Sequence, residues 1–122
     1  MPKYVSLFSY TGEAWRAMVE RPGNRAAAAR KLIEEIGGQM ESFYWMFGDW
    51  DGFVVYDVPD VATAAAFSGR VTSSGLIGKI KTQQLLTMEE AREGLEKAGT
   101  AEAAYEPPGT QTEWRAEYDA LG

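Results

Sequence analysis

The densest stretch of chemically useful side chains runs from Met40 to Val58, where two aromatic-rich runs flank Gly48-Asp49-Trp50-Asp51-Gly52. Carboxylates such as Asp49 and Asp51, set at a pocket mouth, could act as a general base or hold a hard cation. In a turn, the same residues accept hydrogen bonds from loop amides and tolerate left-handed backbone. A calcium loop needs a further acid and a terminal Glu that this run lacks, so no metal site is expected. Tyr10, Tyr44 and Tyr56 offer phenols that could donate to a carbonyl or enolate oxygen. A strand Tyr otherwise packs its ring and wets its hydroxyl. Trp15 and Trp45 could stack on a planar ligand or pack in a core or an interface. Lys79 and Lys81 could pair with Asp49 or Asp51, bind an anion, or protect an edge strand from unwanted pairing. The candidate ligand-binding set is Tyr10, Trp15, Tyr44, Asp49, Trp50, Asp51 and Lys81.

Absent residue types narrow the chemistry further. The chain has no cysteine and no histidine. Disulfides, thiolate nucleophiles, imidazole bases, His-ligated haem and the common zinc sites are therefore excluded. Gly75 and Gly78 lack the strand-glycine-helix context of a phosphate loop, and no cofactor is expected. A net charge of −6 disfavours nucleic acid and anionic membrane surfaces, which recruit clustered Lys and Arg. No run of 18 apolar residues offers a membrane span. Met1-Pro2-Lys3-Tyr4 enters a strand without a signal-peptide core, so a cytoplasmic location is expected.

Local patterning supplies the elements that must carry these side chains. Tyr4 to Tyr10 alternates as a strand, with Tyr4, Ser6, Phe8 and Tyr10 on one face and Val5, Leu7 and Ser9 on the other. Thr11 caps a short helix from Glu13 to Glu20, and Arg21-Pro22-Gly23-Asn24 breaks it. Asn24 caps an Ala-rich helix, Arg25 to Ile36, which stops at Gly37-Gly38. Strands Met40–Phe47 and Phe53–Val58 form a hairpin across the Gly/Asp loop. Asp60 caps a helix from Val61 to Thr72, and a strand follows from about Ile77 to Leu86. Thr87 with Glu90 makes a capping box for a last helix, Met88 to Lys97. The order β, α, β, β, α, β predicts a ferredoxin-like α+β sandwich with a four-stranded antiparallel sheet.

Gly48-Asp49-Trp50-Asp51 resembles the signature of the GYD-domain family, with Trp50 in the aromatic position and an acid inserted before it. Tyr4 to Thr11, Gly37-Gly38 and Lys81-Thr82 before Leu85-Leu86-Thr87 are similar to that family as well. The resemblance spans roughly residues 3 to 98. It implies a small bacterial ferredoxin-like domain and no particular activity.

Residues 1–98 are thus expected to form one domain. Residues 99–122 form an acidic tail that carries Glu102, Glu106, Glu113, Glu117 and Asp119 against Arg115. Within the tail, Trp114, Tyr118 and Leu121 share one face of a short helix. Such a helix needs a surface, which is its own domain, a neighbouring subunit or another protein, with docking within the homo-oligomer expected first and a disordered acidic tail as the alternative. Both faces of the hairpin strands read as apolar or aromatic, more than a lone sheet exposes to water. A second copy is expected to cover the open face, most simply as a dimeric α/β barrel, with a trimer as a lesser alternative. An aromatic-lined pocket on that open face would suit a small aromatic ligand. Three functions fit these readings: an oligomeric small-molecule-binding domain, a cofactor-independent monooxygenase or isomerase, or a module that binds protein through its tail.

Overall fold

The computed structural model of the protein describes residues 1–110. The chain divides into two compact units, Met1–Leu85 and a second that begins at Leu86. The first contains β1 (Lys3–Tyr10), α1 (Gly12–Glu20), α2 (Arg25–Glu35), β2 (Gln39–Trp45), β3 (Gly52–Asp57), α3 (Val61–Ser73) and β4 (Ile77–Leu85). The second contains α4 (Met88–Thr100) and a short 3₁₀ turn, Glu102–Ala104. The Trp114, Tyr118 and Leu121 helix expected in the tail lies outside the described residues.

Capping chemistry sets the helix starts as the sequence predicts. Side-chain oxygens of Thr11, Asn24 and Asp60 accept from the backbone N–H three residues on, in α1, α2 and α3 respectively. Thr87 and Glu90 form a full capping box at α4. The sheet is antiparallel with strand order β2-β3-β1-β4. With one crossover through α1 and α2 and the other through α3, this α+β layout is compatible with a ferredoxin-like fold.

The core lies between the sheet and its helices. Tyr4, Phe8, Val54, Tyr56 and Val58 meet Ile33 of α2 and Ala64 and Phe67 of α3, all buried. Burying a side chain of this size stabilises the fold by roughly 1.5–3 kcal/mol. Ser6, fully buried in the same face, is satisfied by hydroxyls. Its Oγ lies 2.8 Å from the Tyr56 hydroxyl and 2.8 Å from Thr82 Oγ1. Thr82 Oγ1 in turn meets Ser68 Oγ at 2.9 Å, which ties β1, β3, β4 and α3 together.

β2 departs from simple alternation. The pairing register shifts between Met40 and Ser42, so Glu41 is a bulge. The extra residue puts Met40, Phe43 and Trp45 on the helix side, where Met40 and Phe43 pack against the core. Tyr44 faces the other way, with its ring 5.7 Å from Phe53. The strand ends at Trp45, and Phe47, expected within it, is fully exposed in the loop. The expectation of an aromatic open face is corrected accordingly. Tyr4, Phe8, Tyr10, Phe43, Trp45 and Tyr56 all serve the helix side. The open face has a half-buried aliphatic and Phe centre of Val5, Leu7, Phe53 and Val55. Tyr44 flanks this centre on β2, and Lys79, Lys81 and Gln83 flank it on β4.

Candidate functional site

A cavity of about 460 Å³ opens between the sheet and its helices. The sheet supplies Ser6, Phe8, Tyr10, Phe43, Val54, Ile77 and Ile80; α3 and the segment after it supply Phe67, Val71, Ser74 and Leu76. On the α1–α2 side the lining is mostly small, with Ala14, Ala17, Ala28 and Ala29 beside Met18 and Leu32. Alanine explains the space. Helix residues of this size cannot reach the sheet to fill the layer, so a gap persists in a layer that is otherwise packed. Arg21, Gly23 and Arg25, around the break between α1 and α2, complete the lining.

One end of the cavity is aromatic. The Tyr10 ring lies edge-on to Trp15 at 5.5 Å and to Trp45 at 6.0 Å, and the two indoles meet at 5.5 Å. Phe8 continues the array, 5.3 Å from Tyr10 and 5.5 Å from Phe43. Edge-to-face contacts of this kind stabilise beyond the area they bury. Burial pushes the Tyr10 phenol above its ordinary value, and the Arg25 guanidinium beside it partly offsets that rise. The phenol is therefore a neutral hydrogen-bond donor at neutral pH.

The sequence profile of the GYD domain matches residues 4–95. The chain belongs to the GYD-domain family. None of the curated proteins compared matches it. Among solved structures, this GYD-domain chain is similar to FFRP-DM1 at 15% identity, over 70% of this chain and 100% of that one, with a TM-score of 0.49. It is similar to TTHA0845 from Thermus thermophilus at 18% identity, over 71% and 95%, with a TM-score of 0.48. The hypothetical protein PHS023 from Pyrococcus horikoshii is similar at 12% identity, over 71% and 92%, with a TM-score of 0.46. Likenesses this distant carry no statement about activity.

Of the candidate residues in this GYD domain, the structure brings Tyr10 and Trp15 together, with Tyr10 lining the cavity. The others lie elsewhere. Asp51 Oδ2 accepts the Tyr10 backbone N–H at 2.8 Å, and the Asp51 N–H donates to the Phe8 carbonyl at 2.9 Å. That carboxylate holds the hairpin loop to β1. Asp49 contributes only its carbonyl oxygen, 3.5 Å from Ser9 Oγ. The Trp50 ring lies under Lys79, whose Nζ is 4.5 Å from the ring centroid. Tyr44 and Lys81 sit on the open face. Among the described residues no group of three Asp or Glu side chains is placed to hold a metal ion.

The cavity lies on the helix side of the sheet, whereas the sequence led to an expectation of a pocket on the open face. Arg21, Arg25 and the alanines of α1 and α2 line the cavity without being among the candidate residues of the sequence. Their signal was present in the sequence: an Ala-rich α2 with few large apolar residues, and arginines bracketing Pro22-Gly23.

Proposed function

We propose that this GYD domain binds a small molecule in the cavity between its sheet and helices, and that it does so as a homo-oligomer joined through the open face. The cavity carries the reading. Its volume, about 460 Å³, lies within the roughly 300–1,000 Å³ of small-ligand sites. Its walls have the expected makeup too, apolar and aromatic with a few polar groups. Binding is better supported than turnover. The lining has no carboxylate, and the chain has no imidazole or thiol, so the Tyr10 phenol is its main acid–base group. For the open face, an apolar centre of Val5, Leu7, Phe53 and Val55 with a more polar margin supports pairing with a second copy.

N-phenyl-1-naphthylamine, a neutral dye that fluoresces in apolar surroundings, tests the cavity. The dye should bind with saturable enhancement. Ala29→Phe, which fills the space from α2, should abolish that signal while circular dichroism stays unchanged. Equal enhancement in the filled variant would place the dye elsewhere and remove the support for this reading.

A further inference from the structure

The polar side chains that line the cavity include positive charges and no negative one. Arg21, Arg25 and Tyr10 line it together with the serines, and no Asp or Glu does. Among the described residues neither arginine makes an ion pair, although Lys3 pairs with Glu41 and Asp57, and Arg92 with Glu89 and Glu96. α2, which Arg25 opens, has no acidic residue in its first turn to balance that charge. Ser6, the hydroxyl on the sheet wall, is already engaged with Tyr56 and Thr82. The hydrogen-bonding capacity still open to a ligand is therefore concentrated around the α1–α2 break. Two guanidiniums and a phenol beside an apolar chamber match an amphiphile with a negative head. The planar fork of Arg suits a carboxylate in particular.

We propose that the ligand is a monocarboxylic acid with an apolar body, its carboxylate held by Arg21, Arg25 and the Tyr10 hydroxyl, and its body lying between Phe8, Phe43, Leu32 and Ile80. This rests on the reading of the cavity as a ligand site and adds the ligand's class. Tyr10 takes part as a donor because it stays protonated. The Ala-lined wall of α1 and α2 leaves the chamber open for the hydrocarbon.

The test uses the full chain and displacement of N-phenyl-1-naphthylamine by decanoate, decanol and decylammonium, each below its micelle-forming concentration. Decanoate should displace the dye at about one-tenth the concentration that decanol needs, and decylammonium should be weakest. Arg25→Gln and Arg21→Gln should each weaken decanoate by about tenfold while decanol is unchanged. Tyr10→Phe should weaken decanoate by a smaller factor. Lys31→Gln, a charge loss on α2 away from the cavity lining, should leave all three ligands unaffected. Equal displacement by the three amphiphiles would overturn the carboxylate inference and leave the cavity reading standing. So would a loss of decanoate affinity in Lys31→Gln as large as in Arg25→Gln. A dye that does not bind at all would overturn both.

Discussion

Asp51 and Tyr56 show how the same residue types divide between structure and ligand chemistry. Asp51 spends its carboxylate on the Tyr10 backbone N–H, partly shielded from water. Asp51→Ala should lower unfolding free energy by about 1–3 kcal/mol, read from a urea melt, because it orphans a donor beside the sheet. Asp51→Asn keeps an acceptor there and should lose less. Tyr56 is buried, and its hydroxyl meets Ser6 at 2.8 Å. Burial raises its pKa despite that hydrogen bond, so it stays protonated across the physiological range. Tyr56→Phe should cost about 1 kcal/mol with dye binding retained, since Ser6 keeps Thr82 as its partner. Loss of dye binding in Tyr56→Phe would mean that the hydroxyl chain supports the cavity more directly than its distances indicate.

At the scale of elements, the hairpin and the caps carry the testable consequences. Gly48 in the hairpin loop has φ of 121°, a conformation that L side chains rarely adopt. Gly52 faces a different constraint, for a Cβ there would lie 2.6 Å from the Phe8 ring and 2.8 Å from the Tyr44 carbonyl oxygen. Gly52→Ala should therefore displace β2 or Phe8, lower the melting temperature and weaken dye binding together. The caps give a pH dependence. Hydrogen bonds from Thr63 hold the Asp60 carboxyl below its ordinary value, and those from Thr87 do the same for Glu90. A carboxylate whose pKa is lower folded than unfolded stabilises fully above its unfolded value. That contribution is lost as pH falls through the folded value. The melting temperature should therefore fall as pH drops below the ordinary carboxylate range. Asp60→Asn, which caps without titrating, should flatten part of that fall.

For the whole molecule, the decisive question is what covers the sheet face away from the helices. With Phe43 and Trp45 on the helix side, the residues that matter for self-association are Phe53 and Val55. Light scattering on the purified chain should give a dimer or larger at micromolar concentration. Phe53→Asp, which sets a charge in the apolar centre, should shift the protein to monomer without loss of secondary structure. A wild-type monomer under these conditions would contradict the proposed assembly and leave the cavity on the helix side as it is.

Among the described residues, the sequence by itself determined the order of the elements, the caps of α1, α2, α3 and α4, and the family. Each follows from short-range chemistry: Thr11, Asn24, Asp60 and Thr87 each act on an N–H three residues away. Strand alternation sorted β1 and β3 correctly into two faces, because neither contains an extra residue. Tertiary structure alone decided three things. The bulge at Glu41 reassigned the β2 side chains, since one unpaired residue inverts every later position and no local pattern marks it. Packing of α1 and α2 over the sheet decided which face would hold a cavity, because a void is a shortfall of volume between elements distant in the chain. That packing also placed Arg25 of α2 beside Tyr10 of β1, a meeting across 15 residues that spacing cannot reveal.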